Sequence, residues 1–145
     1  MPSTAPAPQR TLVLVKPDAV RRGLVGEVLH RIEAKGYTLV AAELRTADEA
    51  LLGRHYAEHE GKPFYPSLLQ FMASGPLLAT VVEGHRVIEG FRALAGATDP
   101  TGAAPGTIRG DLGRDWGGSA TENLVHGSDA PESAAREISL WFPAL

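Results

Sequence analysis

The sequence predicts a single domain of the α/β class, an α+β arrangement in which helices pack on an antiparallel sheet. Short apolar runs rich in β-branched residues alternate with segments whose apolar residues recur at helical spacing. Glycine or proline lies at nearly every junction between these segments. The chain has 145 residues, of which 43% are hydrophobic, so its length suits one domain and its composition an ordinary globular protein.

The first predicted unit is a strand, a helix and a second strand. Residues 11–15 form a compact apolar run typical of a buried strand, and this run ends at Lys16-Pro17. The following segment ends at Lys35-Gly36, a typical helix C-terminus, and carries apolar residues at helical spacing: Val25, Val28, Leu29 and Ile32. Residues 37–44 are predicted to form the second strand.

A pair of helices is predicted next. Thr46 and Glu49 have the spacing of a capping box, which predicts a helix that begins there and ends at about residue 59. The chain then breaks at Lys62-Pro63, and residues 66–74 are predicted to form a second, shorter helix.

The second half of the chain repeats the alternation of strands and helices. Residues 77–82 are a third apolar strand and residues 85–95 an amphipathic helix. Residues 96–118 are dominated by Gly, Pro, Thr and Asp, which predicts mostly loop. Residues 123–126 form a short predicted strand, and residues 131–142 a final helix with proline in its first turn.

Without the helical pair, the predicted order of elements is βαββαβ. This order is typical of the ferredoxin-like fold, in which two βαβ units share one antiparallel sheet. The sequence therefore predicts a ferredoxin-like sheet with helices packed on it and a helical pair inserted after the second strand.

Composition excludes several classes of protein. The chain has no cysteine, which excludes disulfides and thiolate metal sites and fits a cytoplasmic location. The net charge is −3 with no basic run, so no specific nucleic-acid binding is expected. No apolar stretch reaches the roughly 20 residues of a transmembrane helix. Residues 1–9 lack the pattern of a signal peptide and are predicted to be a flexible tail before a single domain at residues 10–145.

The segment His126-Gly127-Ser128-Asp129 lies where a short predicted strand passes into the last helix. The start of a helix offers free N–H groups that favour phosphate, and a neutral histidine ring can attack phosphorus through a nitrogen lone pair. Glu137 lies farther along that helix, where its carboxylate could hold one ring nitrogen. Taken alone, the same segment also fits an ordinary turn with an incidental histidine.

Three cations and one aromatic residue are the other candidates. Lys16 follows a buried strand directly, and strand ends are frequent ligand positions. Arg109 lies between Gly106 and Gly110, where the backbone can approach a phosphate closely, and Arg92 lies on the helix at residues 85–95. Phe64 follows a chain break and has the surface to stack on a base. Taken alone, each of the three cations fits an ordinary surface role better than a binding role, and Phe64 fits a core role at least as well as stacking.

The familiar phosphate and metal signatures are missing. The sequence contains neither GxxxxGK[ST] nor GxGxxG, and no HExxH or GxSxG motif. His55 and His59 are four residues apart, but no third ligand accompanies them, so no metal site is predicted.

Taken together, the candidate residues resemble the nucleoside diphosphate kinase family from about residue 10 to residue 142. The most specific match is the run from Asn123 through His126-Gly127-Ser128 to Asp129. The other matching segments occur in the family's order: Lys16-Pro17-Asp18, residues 22–27, His55-Tyr56, Pro63-Phe64, Ser74-Gly75-Pro76, residues 106–111, Glu132-Ser133-Ala134 and Arg136-Glu137-Ile138.

The resemblance implies a ping-pong phosphotransferase. A nucleoside triphosphate, mainly ATP, would donate its γ-phosphoryl group to His126, and the phosphohistidine would pass it to a nucleoside diphosphate. Ser128 and Glu137 would orient or assist His126. Tyr56 would form a hydrogen bond near His126 and Lys16.

The resemblance also implies how the nucleotide is held. Phosphates would contact Lys16, Arg92, Thr98 and Arg109, the sugar hydroxyls Lys16 and Asn123, and the base Phe64. Magnesium would bind mainly through the nucleotide phosphates, so no dedicated metal-ligand set is expected, although Asp129 could touch the ion through water. The family forms homo-oligomers, which implies a hexamer here, and the loop at residues 96–106 resembles the family's inter-subunit loop.

One segment departs from the family pattern. Asp111 and Asn123 are 12 positions apart (123 − 111), a few residues more than is usual. The family completes its base clamp with an apolar side chain shortly before the asparagine, where this chain has Ala120. Trp116 in the extra stretch either replaces that side chain or packs on a neighbouring subunit.

Two other functions compete with nucleotide phosphorylation. A ferredoxin-like module could bind nucleotide or nucleic acid without turnover, but such a protein would be expected to have lost His126 or Glu137, and both are present. The phosphoryl group could also pass from His126 to a protein, which the sequence leaves open as a side activity.

Overall fold

The computed structural model describes residues 7–118 and 120–145. The described strands are β1 (Gln9–Val15), β2 (Thr38–Arg45), β3 (Leu77–Gly84) and β4 (Val125–Gly127). The described helices are α1 (Pro17–Arg21), α2 (Val25–Ala34), α3 (Glu49–His55), α4 (Tyr65–Met72), α5 (Val87–Ala95), α6 (Ile108–Leu112) and α7 (Pro131–Trp141). Residues 1–6 of the predicted tail lie outside the described residues.

The strands form one antiparallel sheet in the order β2-β3-β1-β4. This is the strand order of the ferredoxin-like fold, so the predicted fold class is confirmed. The short strand β4 pairs with the end of β1, and its register sets His126 opposite Leu14. The sheet therefore brings the His126 segment beside the strand that leads into Lys16.

Each face of the sheet carries its own apolar core. Because side chains alternate along a strand, Val13 and Val15 of β1 face α2 and α5, where Phe91 is fully buried. Leu12 and Leu14 face the other way, toward α3, α4 and α7. Burial of each large apolar side chain contributes about 1.5–3 kcal/mol, and the two cores hold α5 and α7 firmly on opposite faces.

The predicted capping box at Thr46 and Glu49 is wrong. Asp48 is the N-cap of α3, and its carboxylate accepts a hydrogen bond of 2.8 Å from the N–H of Leu51. Asp is at least as good an N-cap as Thr. The extended backbone of Asp48 lets its side chain fold over the N–H groups of the first turn that follows it. The helix also ends earlier than predicted, at His55, and a single 3₁₀ turn follows at Ala57–His59.

Two short helices lie where none was predicted. α1 begins at Pro17, which suits the first helical position, while Lys16 before it is extended as a residue preceding proline should be. α6 lies inside the predicted loop at residues 96–118, and the hydroxyl of Thr107 caps it by accepting from the N–H of Gly110 at 2.9 Å. Each has only five residues, too few for apolar periodicity to reveal. No described helix is long and apolar enough to cross a membrane.

Candidate active site

A cavity of about 440 Å³ opens between α3, α5, β4 and α7. Most of the residues predicted for the site line it: Lys16, Tyr56, Arg92, Thr98, Arg109, Asn123, His126 and Glu137. Phe64 lies in an adjoining cavity of about 260 Å³, and Ser128 is buried beneath. The two cavities share Lys16, Asn123 and His126 among their walls, so together they form one cleft, and His126 borders both parts of it.

His126 is held by a carboxylate from α7. Its Nε2 lies 2.8 Å from Oε1 of Glu137, and the hydroxyl of Ser128 donates to the same oxygen at 2.7 Å. Because an ionised carboxylate only accepts hydrogen bonds, Nε2 carries the ring proton and Nδ1 of the neutral ring keeps its lone pair. His126 is about 20% exposed, whereas Glu137 is buried, so the ring is positioned from behind and reachable from the cleft.

Opposing effects act on the Glu137 carboxyl. Burial by itself would raise its pKa, but the hydrogen bond and the charge of His126, with smaller contributions from His55 and Ser128, hold the pKa below its usual value. Glu137 is therefore ionised at neutral pH and can accept the hydrogen bond from Nε2 of His126.

Gly127 is required by the packing beneath this histidine. A Cβ on Gly127 would lie 2.6 Å from a ring carbon of Phe91, closer than such atoms approach. Because Phe91 is fully buried in the core, its ring cannot move aside cheaply. The glycine therefore lets β4 lie directly on α5, with His126 on the cleft side.

His55 is a buried part of the site that motif matching alone did not assign a role. Its ring centre lies 4.8 Å from that of His126, edge to face, and Trp141 donates from Nε1 to its Nδ1 at 3.0 Å. Burial, followed by the charge of His126, lowers the pKa of His55 to about 3, so the ring is neutral. With His126 and Glu137 it forms the only described cluster of three groups able to bind a metal ion. Within this cluster, His55 already accepts a hydrogen bond from Trp141, and His126 already donates one to Glu137, so the contacts are explained without a metal ion.

The expected hydrogen bond of Tyr56 near His126 and Lys16 is not formed with any described residue. The Tyr56 hydroxyl is buried and unpaired within the described chain, and burial raises the pKa of Tyr56 well above its usual value. The ring packs edge-on against His55 at 4.5 Å. The hydroxyl is thus a neutral donor at the wall of both cavities.

Lys16 and Asn123 form a buried polar pair in the cleft. Lys16 donates from Nζ to Oδ1 of Asn123 at 2.8 Å, and Asn123 donates from Nδ2 to the carbonyl of Thr98 at 3.0 Å. Burial, then the nearby charge of Arg109, lowers the pKa of Lys16 to about 8. This lysine is charged at neutral pH, but an anion that binds beside it would raise its pKa and gain affinity in return.

Asp18 was matched only as part of a motif, yet it holds the strained segment next to Asn123. Leu124 is fully buried with φ of 74°, a left-handed conformation that costs a bulky residue roughly 1–3 kcal/mol. The carboxylate of Asp18 accepts from the N–H of Leu124 at 3.1 Å, and the carbonyl of Leu124 accepts from the N–H of Lys16 at 2.8 Å. The turn after β1 therefore fixes the backbone between Asn123 and His126.

Arg109 connects the loops around the cleft. It donates to the carbonyls of Gly96, Asn123 and Val125 at 2.9, 3.1 and 2.6 Å. An arginine has five N–H donors, so two are left for a ligand. Burial, then the charge of Arg92, lowers the pKa of Arg109 to about 10. Arg109 thus joins the segment at Gly96 to the segment from Asn123 to Val125, and its predicted phosphate contact stays a prediction.

The cavity that contains Phe64 is also lined by Ala120 and Thr121. The ring of Phe64 is about 46% exposed, and Ala120 packs against the core near Leu68. Trp116 lies in a different cavity. The interpretation in which Trp116 replaces the second wall is therefore wrong for the isolated chain, because the described backbone directs Ala120 to that place.

We expect the pKa of Lys16 to appear in the pH profile of catalysis. Above about pH 8 the lysine loses its proton, so the attraction for a polyphosphate falls, and kcat/KM, which reports the free enzyme, decreases about tenfold per pH unit at most. In a Lys16→Arg variant the positive charge persists above pH 8. The decrease in kcat/KM should therefore vanish, although kcat/KM should be lower than that of the wild type at neutral pH. A wild-type profile that is flat to pH 10, or an identical decrease in the variant, would contradict this assignment.

Comparisons with known proteins identify the family to which this chain is similar. The family model described as nucleoside diphosphate kinase matches residues 9–145. Proteins named nucleoside diphosphate kinase from Rhodococcus erythropolis and Mycobacteroides abscessus are each 64% identical over 138 residues, which cover 94% of this chain and 96% and 98% of those proteins. A halophilic nucleoside diphosphate kinase from Halobacterium salinarum, solved in complex with CDP, is similar with a TM-score of 0.87. It is 48% identical, covering 92% of this chain and 87% of that one. A nucleoside diphosphate kinase family protein from Babesia bovis has the same TM-score at 44% identity, covering 92% of this chain and 88% of its own.

Proposed function

The chain belongs to the nucleoside diphosphate kinase family, and we propose that it transfers the γ-phosphoryl group through a phosphohistidine on His126. The predicted family and phosphotransferase activity are confirmed by these relatives. The residues that perform the reaction are our proposal. The observation that carries it is the hydrogen bond of 2.8 Å between Nε2 of His126 and a buried carboxylate, in a cavity that Lys16, Arg92 and Arg109 also line.

In the first half-reaction, the Nδ1 lone pair of His126 attacks the γ-phosphorus of the triphosphate. The N–P bond forms as the bond from phosphorus to the β,γ-bridging oxygen breaks, and that electron pair leaves with the diphosphate. The ring gains positive charge, and Glu137 stabilises it through the Nε2–H hydrogen bond. The second half-reaction reverses these steps with a different nucleoside diphosphate.

The phosphates are proposed to bind Lys16, Arg92, Arg109 and Thr98. The first three place positive charge around the cavity wall next to His126, which favours the charge that spreads over the equatorial oxygens in the transition state. Arg92 is exposed and its only described polar contact is a bond of 3.4 Å to the carbonyl of Gly127. It can therefore turn toward a phosphate at little cost.

The nucleoside is proposed to lie in the adjoining cavity, with Lys16 and Asn123 at the sugar hydroxyls and Phe64 stacked on the base. Stacking on an aromatic ring tolerates every base, because each base has a π-face. Broad acceptance of nucleoside diphosphates follows from this arrangement.

Magnesium fits the site as an ion that would bind together with the phosphates of the nucleotide. Hard oxygen donors suit this ion, and Asp129 supplies a carboxylate at the cavity wall beside His126, where it already accepts a hydrogen bond from Ser133. We propose that the nucleotide phosphates would supply most of the ligands of the ion and that Asp129 would contact it through a water molecule. When bound, the ion neutralises charge on the phosphate oxygens.

Labelling tests the proposed reaction. The protein is incubated with γ-labelled ATP and magnesium, and the label should be acid-labile, base-stable and located on the peptide that contains His126. Addition of GDP should release it as GTP. A label that resists acid, or that GDP fails to remove, would overturn the phosphohistidine route.

Assembly and location remain proposals. We propose a homohexamer, as the resemblance of residues 96–106 to an inter-subunit loop implies, and the edge strand β2 leaves Leu44 exposed to a partner. Light scattering should give six times the mass of 15.4 kDa, and a monomer would contradict it. We also propose a cytoplasmic location, in keeping with a chain that has no cysteine.

A further inference from the structure

Trp116 lies in the stretch between α6 and β4 that is longer than usual for the resemblance. The side chain is about 51% exposed, yet its ring is not without contacts. The guanidinium of Arg114 lies 4.3 Å from the ring centre, and that of Arg22 lies 5.6 Å from it. Both distances are within the range of cation–π attraction. The ring is therefore attached to its own loop and to the end of α1.

The Arg22 contact reaches a rigid part of the molecule. Arg22 is the C-cap of α1, and it also donates to the carbonyl of Leu112 at the end of α6 at 2.7 Å. Both helices border the buried core that contains Ile108. The Trp116 ring thus anchors the loop to two helix ends that the core holds in place.

The anchored loop ends at the base side of the cleft. A cavity of about 310 Å³ is lined by Trp116 and Arg114, and it shares Thr98, Ala120 and Thr121 with the cavity that contains Phe64. Ala120 and Thr121 are therefore a thin partition, with the Trp116 cavity on one side and the proposed base position on the other. After the partition, Asn123 is held by its hydrogen bonds with Lys16 and Thr98, so the loop before Ala120 is the other support that sets where the partition lies.

Gly113 is still held at the end of α6, where its N–H donates to the carbonyl of Arg109 at 2.9 Å. Beyond it, little else in the described part of the loop fixes the backbone: Gly117 and Gly118 have no side chain to pack, and Gly117 adopts a φ of 80°. The N–H of Gly117 bonds only to the nearby carboxylate of Asp115 at 2.8 Å. Beyond the partition, the ion pair of Arg21 with Glu122 is long, at 3.5 Å, and exposed. The aromatic ring is thus the principal described anchor before Ala120.

We propose that Trp116 is a positioning residue that determines base binding by holding Ala120 and Thr121 opposite Phe64. The inference rests on the proposed function, because it assigns the base to the Phe64 cavity. It adds that the wall of the base cavity formed by Ala120 and Thr121 has small side chains. The contacts of the Trp116 ring with Arg114 and Arg22, here called the Trp116 clamp, keep this wall in place. Loss of the clamp should weaken contact with the base and leave the phosphate contacts and His126 as they are.

A Trp116→Ala variant tests this role when base-bearing and base-free substrates are compared. With ATP and GDP, KM should rise roughly fivefold while kcat is retained, which corresponds to the loss of two exposed cation–π contacts. With ribose 5′-triphosphate, which has no base, kcat/KM should not change. Trp116→Phe should restore most of the affinity because it keeps an aromatic face for the two guanidinium groups. Leu145→Ala, which truncates another exposed apolar residue, is the matched control and should behave as wild type.

The outcomes separate this inference from the proposed reaction. A wild-type protein that takes no label from ATP would refute the phosphohistidine, whatever Trp116 does. An active wild type whose Trp116→Ala variant keeps its KM for ATP, or loses affinity for ribose 5′-triphosphate equally, would refute the positioning role. If Trp116→Ala does not fold, Arg114→Met carries the same comparison, because it removes the nearer cation and leaves the ring. It should raise the KM for ATP and not for the base-free triphosphate.

Discussion

Replacement of His126 by alanine is expected to lower the rate of nucleotide phosphorylation by at least about 10⁴-fold, as loss of a covalent nucleophile does in other enzymes. The variant should still bind ATP, because the proposed phosphate contacts come from Lys16, Arg92 and Arg109 rather than from the histidine. Turnover should be measured by coupled assay and nucleotide affinity by calorimetry, so that the loss of chemistry is separated from the loss of binding.

His85→Ala is the matched control, since His85 is an exposed histidine at the end of β3, away from the cleft. It should keep wild-type turnover and labelling. The assignment of His126 would be abandoned if its alanine variant were labelled by γ-labelled ATP to the same extent as wild type. If the His126→Ala variant kept much more activity than the expected loss of about 10⁴-fold allows, another residue would have to act as the nucleophile.

Changes at Glu137 should give the second-largest effect, and two substitutions separate its contributions. Glu137→Ala removes the acceptor that both His126 and Ser128 use, so the ring loses its tautomer and its position, and the rate of His126 phosphorylation should fall about 10²- to 10³-fold. Glu137→Gln can keep the shared oxygen in place. That oxygen still accepts both hydrogen bonds, and only the negative charge is lost, so a fall of about tenfold is expected. Single-turnover phosphorylation by ATP measures both.

The orientation of the glutamine matters for this comparison. The second oxygen of Glu137 lies 3.9 Å from Nη2 of Arg136, but this long contact is weaker than the two short bonds that hold the first oxygen. The amide should therefore present its oxygen to His126. Glu33→Gln, an exposed carboxylate change on α2, controls for the loss of one charge. Equal rates for Glu137→Gln and Glu137→Ala would show that charge, not the hydrogen bond, is what the carboxylate contributes.

Apolar periodicity was sufficient for the larger elements of the fold. The strand at residues 11–15 and the helix that begins at Val25 lie where their patterns indicated, within two residues at each end. The fold order follows from such elements because each has a face that must be buried. The capping of α3 was harder, since Asp48 and Thr46 both suit an N-cap and only the backbone conformation distinguishes them. The single domain at residues 10–145 stays a prediction.

For the candidate site too, the sequence provides some of the information and the structure the rest. The order and type of its residues, from Lys16 to Glu137, were available from the sequence as a family resemblance. The contacts were not. That Ser128 and His126 share one oxygen, and that Arg109 supports three carbonyls, depends on distances between residues 9 to 16 positions apart or more. No local pattern in a sequence encodes such distances.

By itself, the sequence determined the chemistry available to this protein: a histidine, a carboxylate, three cations and an aromatic residue in the order of one family. The order of those residues indicates the family by resemblance, whereas the helices and strands that carry them follow from the spacing of neighbouring residues. Only the tertiary structure decided which ring nitrogen keeps its lone pair and which side chain opposes Phe64. It also decided that Trp116 anchors the loop rather than facing the base. Those outcomes depend on packing between distant segments, where burial and a few tenths of an ångström determine which groups meet.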